Sequence, residues 1–394
     1  MRLADLSADD RIVEMSYPTR VVFGTGALQR LPAQVERLQM RKPLVVADQG
    51  IVKSGLLARV LDVLKGSGIA HGIFDRVNPD PTEEDAFDGV AAYRNQSCVG
   101  VIAVGGGSPL DTAKLIQLLT THQPPLSRYD DATGGDRFVR DDLPPLIAIP
   151  TTAGTGSEVS RSAVATLKDT GRKTVIFSPH LMPKAAICDP ELTVGMPRWL
   201  TAATGIDAFT HCLEAYLANA LHPLADAVAI DGIGRVGAAL EIAVEKGTHL
   251  AARGQMMIAA MEGAMAFQKG LGACHALAHA LTPISRVHHG LANAIVLPAV
   301  LEFNRSACAA RLAHVAVALG DNSLTREEML ASNAIERIRG LLTRIGIPPR
   351  LRDAGVREAD LPLIAKKAFQ DASHQTNPRQ CTEEDLLGIA KAAF

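Results

Sequence analysis

No stretch of the 394-residue chain approaches the roughly 18 consecutive apolar residues that a membrane-spanning helix needs. The opening MRLADLSADDRIVEM mixes charges of both signs and has no apolar core, so it does not read as a secretory signal, and lipidation motifs are missing. Charge of one sign is missing too. Lys and Arg number 40 against 42 Asp and Glu, a formal net charge of −2, so no basic field exists to hold a nucleic acid. Aromatics are scarce at 4%, with Trp199 the single tryptophan, and the core has to be built from Ala, Leu, Val and Ile. The six cysteines (Cys98, Cys188, Cys212, Cys274, Cys308, Cys381) form no CxxC pair, and their spacing suggests neither a zinc cage nor a disulfide framework. Free thiols in a reducing cytoplasm are the expectation. What is present is ordinary for a globular protein, 47% hydrophobic and 21% charged, and the length suits two domains at roughly 150 residues each or somewhat more.

The first half alternates short β-branched runs with amphipathic stretches. Strands are expected at 20–23, 43–47, 72–77, 100–104, 145–149, 174–177 and 185–188, with helices at 56–67, 82–95 and 108–120 between several of them. GVIAV and PLIAI are continuously apolar, as strands covered on both faces are. This is the rhythm of a parallel α/β sheet with right-handed crossovers. Near DPELTVGMP (189–197) the character changes, and strand signals give way to long Ala/Leu-rich periodic stretches, read as an all-helical domain. The expected division is an α/β dinucleotide-binding domain over 1–194 and an all-α metal-binding domain over 195–394.

Two glycine-rich loops follow apolar strands. In VIAVGGGSPLDTAK (101–114), glycines without Cβ let a ligand approach the backbone. Ser108 is the expected N-cap of the next helix, with Pro109 in its first turn and Asp111 at capping-box spacing. The helix start would then face an anion such as a pyrophosphate. A plain strand-to-helix turn would look similar. In IPTTAGTGSEVS (149–160), Thr151, Thr152 and Thr155 offer hydroxyls to ribose or phosphate, unless this is simply a solvated loop. Ligands bind at the carboxyl ends of open parallel sheets, so adjacent loops of this kind strengthen each other. Asp48, ending the strand LVVA, suits an adenosine ribose and would repel a 2′-phosphate, favouring NAD over NADP; a turn or N-cap aspartate is the other reading.

In GIDAFTHCLEAY, Asp207 and His211 stand four apart and share a helix face. In GACHALAHALTPISRVHHG, His275 and His279 are again four apart, and His288 and His289 follow after Pro283, where the helix is expected to end. One carboxylate and several imidazoles from separate helices suit a divalent transition metal, although single histidines on apolar helices are usually core residues. Spacing leaves open which histidines would bind.

Together these segments resemble the iron-containing, or group III, alcohol dehydrogenases. The matching motifs are GGGSPLDTAK, PTTAGTGSE, DPELTVGMP, TAATGIDAFTHCLEAY, GLGACHALAHAL, HHGLANAIVLP and TNPRQ, in family order over nearly the whole chain. The resemblance implies an active site between an N-terminal α/β domain and a C-terminal helical domain. It assigns the metal to Asp207, His211, His275 and His289, places His279 beside the substrate and nicotinamide, and leaves His288 a bystander. For the cofactor it selects Asp48, Asn78, Gly106, Gly107, Ser108, Thr151, Thr152, Thr155 and Lys173. It implies ferrous iron, although raw affinity favours zinc, together with NAD, a small alcohol or aldehyde as substrate, and a homodimer. Hydride passes between the carbinol carbon and the nicotinamide while the metal acts as Lewis acid. Rival readings are a maleylacetate-reductase-like enzyme, a 4-hydroxy-acid dehydrogenase with Arg161 as carboxylate anchor, a lyase like dehydroquinate synthase, and a binding protein without turnover.

Overall fold

The computed structural model describes residues 19–168 and 173–394. Six parallel strands form one sheet in the order β1-β8-β5-β4-β2-β3: β1 (Val21–Phe23), β2 (Leu44–Asp48), β3 (Gly72–Val77), β4 (Val101–Gly105), β5 (Leu146–Pro150) and β8 (Ala185–Cys188). The sheet is covered on both faces because its central strands are apolar almost throughout. Leu44, Val46, Val101, Ala103, Leu146 and Ala148 pack into one layer, and Val45, Ala47, Ile102, Val104, Ile147 and Ile149 into the other. These side chains are all fully buried. Each Val, Leu or Ile so placed contributes about 1.5–3 kcal/mol of transfer free energy, which fixes the strand order against slippage.

The chain runs from β2 outward to β3 and then crosses back to place β4 on the other side of β2. That reversal opens a crevice between the carboxyl ends of β2 and β4, where open α/β sheets bind ligands. Asp48 stands at one lip and Gly105 at the other.

All seven expected strands form, but one of them lies elsewhere. The 174–177 strand is not part of the parallel sheet. It belongs to β7 (Lys173–Phe177), which pairs antiparallel with β6 (Ser162–Thr166), a strand not foreseen. The ribbon docks on the loop after β3, where Thr166 N donates to Pro81 O at 2.8 Å.

From Arg198 onward the described chain is helical. Helices over Arg198–Leu217, Pro223–Glu245, Leu250–Ala266, Ala273–Ser285 and His289–Asn304 share one core, which also takes in Ala153, Val159, Ala186 and Cys188 from the sheet unit. The two halves therefore meet through packed apolar side chains. Pro283 does not end its helix. It lies inside Ala273–Ser285, and the turn comes at Arg286, whose φ is 56°. Thr382 starts the last helix with a reciprocal capping box to Asp385, as its sequence implies. Among the described residues, no helix is long and apolar enough to cross a membrane.

Candidate metal and dinucleotide site

The two glycine loops meet face to face. β4 and β5 run in register to Gly105 and Pro150, and Thr151 N donates to Gly105 O at 2.9 Å. A Cβ on Gly106 would lie 3.2 Å from Thr152 Cγ2, and one on Gly107 would lie 3.0 Å from Thr155 Cγ2. Side chains there would close the space between the loops, so the glycines keep it open.

Ser108 is not the N-cap. The helix spans Gly107–Thr121 and its N-cap is Gly106, in extended backbone. Gly105, at φ +149°, lets the strand turn so that the cap falls two residues before Ser108. Ser108 Oγ donates instead to Pro79 O at 2.6 Å, across the crevice. Asp111 forms no capping box. Its carboxylate is half-buried, accepting from Ser157 Oγ at 2.7 Å and Val164 N at 3.1 Å. Lys114 Nζ, fully buried, donates to the same Ser157 Oγ at 2.8 Å and to Ser162 O at 2.7 Å. Burial pulls the Lys114 ammonium down to about 8, against the pull of Asp111 and Glu158. This internal bracket ties the Gly107–Thr121 helix to the threonine loop.

The remaining cofactor candidates surround the crevice. Asp48 caps the short helix after β2, accepting from Ile51 N at 2.9 Å through Oδ1. Asn78 Nδ2 donates to Asp85 Oδ1 at 2.8 Å, so its amide helps fasten the end of β3. Lys173 opens β7 at 4.0 Å from Asp80. Arg161 lies just before β6, at the ribbon end away from Lys173. Its guanidinium rests 4.8 Å over the Phe177 ring.

Asp207, His275 and His289 converge, with their ligand atoms within 4.8 Å of one another. Asp207 Oδ1 is 3.4 Å from His289 Nε2 and 3.8 Å from His275 Nε2. Three elements set this up. Asp207 rides the Arg198–Leu217 helix, His275 the Ala273–Ser285 helix, and His289 opens the next one. Gly290 permits the crossing, because a Cβ there would lie 2.3 Å from Ala203 O. His211 stands beside the trio, its ring stacked on His275 at 4.4 Å between centroids. It falls outside the close group, and its buried Nδ1 has no hydrogen-bond partner.

The cluster suits a cation. Asn293 Nδ2 touches Asp207 Oδ1 (2.9 Å), His275 Nε2 (3.3 Å) and His289 Nε2 (3.2 Å), so three acceptors share one amide nitrogen with two hydrogens. Burial pushes the Asp207 carboxyl up, but the surrounding histidines bring it down to about 2, leaving it anionic. Burial lowers His211 to about 4 and His289 well below its usual value, whereas against burial the Glu214 and Asp207 carboxylates hold His275 above its usual value. One carboxylate and several imidazoles gathered at one place, with two polar atoms that find no hydrogen-bond partner among the described residues (His211 Nδ1 and Asn293 Oδ1), make a donor set for a divalent ion.

His279 borders the cluster, stacked on His289 with centroids 5.2 Å apart. Its Nδ1 bonds Asp371 Oδ2 at 2.9 Å. Although burial opposes it, that contact holds the Asp371 carboxyl well below its usual range. His288 points away, edge-on to Trp199 at 5.7 Å.

Sequence reasoning missed Glu214, Asn293 and Asp371. Glu214 shares the face of Asp207 and His211 at i+7 and i+3, and Asn293 stands four after His289; those helical spacings were the available signals. Asp371, in a 3₁₀ connection 92 residues from His279, offered none.

With this geometry in view, the chain's relationships can be stated. Residues 18–190 match the family described as iron-containing alcohol dehydrogenase, and residues 201–394 match the C-terminal region of the Fe-containing alcohol dehydrogenase family. The chain belongs to the iron-containing alcohol dehydrogenase family. It is 42% identical over 378 residues to a 4-hydroxybutyrate dehydrogenase of Cupriavidus necator, covering 94% of this chain and 96% of that protein. It is 38% identical to a 1,3-propanediol dehydrogenase of Klebsiella pneumoniae, covering 98% and 99%. Among solved structures it resembles a 1,3-propanediol oxidoreductase with a TM-score of 0.94 at 38% identity, over 98% of this chain and all of that one. The α/β-plus-helical fold expected from the sequence agrees with these neighbours.

Proposed function

We propose that this protein interconverts a small primary alcohol and its aldehyde, exchanging hydride with NAD(H), with a divalent ion held by Asp207, His211, His275 and His289. The observation that carries the reading is the convergence of one carboxylate and two imidazoles, their ligand atoms within 4.8 Å of one another and all within reach of one Asn293 amide nitrogen. Family membership and the dehydrogenase relatives support the reaction class. When bound, the ion would supply Lewis acidity to the alcohol oxygen and NAD a hydride-accepting ring carbon.

The chain's own residues do the rest. Gly106, Gly107 and Ser108 with Thr151, Thr152 and Thr155 form the cradle for the pyrophosphate and neighbouring ribose, and the amides opening the Gly107–Thr121 helix face its charge. Asp48, Asn78 and Lys173 complete the cofactor contacts around the crevice. His279, with Nδ1 engaged by Asp371, keeps Nε2 for exchanging the hydroxyl proton beside the ion-binding cluster. The apolar packing of the two halves excludes water. Iron is the resident metal in this reading, with zinc as a competitor. The reading extends to the 1–194 and 195–394 division and to a homodimer in the cytoplasm, in keeping with six buried cysteines that form no disulfide.

The test is anaerobic preparation with metal analysis, then NADH formation with 1,3-propanediol, 4-hydroxybutyrate, 1,2-propanediol, glycerol, 1-butanol and ethanol. NAD-linked oxidation of at least one of these by metal-bearing protein is expected. A full metal complement with no NADH from any alcohol, and none consumed with the aldehydes, would refute it.

Asp48→Ser gives a sharper check on the cofactor. Ser keeps a capping oxygen for Ile51 N, so the fold is spared while the charge goes. A hydrogen bond to a charged group contributes about 1.5–3 kcal/mol, so kcat/KM for NAD should fall about 10–100-fold and the preference over NADP shrink. An unchanged NAD/NADP ratio would confine Asp48 to capping.

A further inference from the structure

The Glu214 carboxylate is buried and makes no ion pair with a Lys or Arg among the described residues. Oε1 accepts from Cys274 N at 2.7 Å. Oε2 accepts from His275 N at 3.2 Å and lies 2.6 Å from His275 Nδ1. Its charge is thus met by the start of the Ala273–Ser285 helix and by one imidazole. The approach depends on Gly272, where a Cβ would lie 2.6 Å from Oε1.

We propose that Glu214 is a positioning residue that presets His275 for the metal. A carboxylate can only accept, so a proton of His275 sits on Nδ1, directed at Oε2. Nε2 is therefore the nitrogen left for a metal, and it faces Asp207 Oδ1 at 3.8 Å and Asn293 Nδ2 at 3.3 Å, inside the ligand cluster. Two backbone N–H groups hold the carboxylate whether or not metal is present, so ring plane and tautomer are set in advance. Asp207, His211 and Glu214 project from one helix at positions i, i+4 and i+7. A single helix therefore carries two proposed ligands and the residue that aims a third from another helix.

A simpler role would be capping the His275 helix. The structure contains a control for that role. Asn377 Oδ1 accepts from Ala273 N at 3.2 Å, capping the same helix start without touching the His275 ring.

The inference rests on the proposed metal reading, and the experiment separates the two. Apo-protein is titrated with Co²⁺ against a competing chelator, and affinity and the visible d–d spectrum are read for wild type, Glu214→Gln, Glu214→Asp and Asn377→Ala. The Gln amide can donate to Nδ1 and shift the ring proton to Nε2. Asp keeps the charge at the helix start but withdraws it by one methylene, so a folded variant is available if Gln prevents folding. Both Glu214 variants are expected to bind Co²⁺ about 10–100-fold more weakly with an altered spectrum, whereas Asn377→Ala lowers thermal stability and leaves affinity and spectrum unchanged. Wild-type affinity and spectrum in the folded Glu214 variants would overturn the inference while leaving the metal site standing. Equal losses in Asn377→Ala would reduce Glu214 to a cap. Absence of Co²⁺ binding by wild type would overturn the metal reading itself, and the inference with it.

Discussion

Asp207→Ala is expected to strip the protein of its metal and of turnover while leaving it folded. Asp207 is the one carboxylate in the convergent trio, and its Oδ1 stands 3.4 Å and 3.8 Å from the two imidazole nitrogens. Without it, neutral nitrogens alone would have to balance a divalent charge in a buried pocket, where uncompensated charge is costly. Lewis-acid assistance supplies several kcal/mol of transition-state stabilisation, so kcat/KM should drop by roughly 1,000-fold or more. The fold should survive, because among the described residues Asp207 bonds Asn293 and its histidine neighbours alone, and alanine suits the helix interior. Metal content, circular dichroism and NADH formation on one preparation check this. Normal metal content in the variant would refute the ligand assignment.

The second large effect concerns stability. Lys114→Met removes the ammonium that binds Ser157 Oγ and Ser162 O, and with it the buried positive charge that acts on the Asp111 carboxylate. Breaking one side of a buried charged pair costs about 3–5 kcal/mol. For a unit of this size that lowers the midpoint of thermal unfolding by roughly 10 °C. NAD should protect the variant less than the wild type, because the bracket between the two glycine loops is gone. Adding Asp111→Asn to Lys114→Met removes the stranded charge and should recover more than half the loss, since the two positions act through one serine. Calorimetry of the three variants with and without NAD tests this. An unchanged midpoint in Lys114→Met would show that the pair does not support the fold.

The features legible in the sequence were those whose meaning is local. A glycine run between an apolar strand and a helix identifies itself, as do Asp207 with His211 and His275 with His279 on single helical faces. The two packed layers of the sheet followed from runs such as GVIAV, whose alternate residues serve opposite faces. What escaped reading depended on distance or on a competing local choice. Glu214 meets its imidazole across 61 residues and Asp371 across 92, separations no helical period encodes. SAVAT, with Val164 its single large apolar residue, was not expected as a strand; it is one because Lys173–Phe177 pairs with it and Asp111 accepts from Val164 N. Ser108 has the right chemistry for a cap, but Gly105 and Gly106 let the helix begin one residue before it. The resemblance assigned His211 to the metal; the structure sets its ring against His275 without bringing it into the close trio.

The central claim is that one divalent ion in the Asp207, His211, His275 and His289 pocket makes this chain an NAD-linked alcohol dehydrogenase. The most direct measurement is anaerobic addition of Fe²⁺ to metal-free protein, following NADH formation with saturating alcohol and NAD after each increment. The account predicts no turnover without metal, a linear rise, and a plateau at one Fe²⁺ per chain. Full turnover in metal-free protein, or turnover unaffected by the added ion, would contradict it.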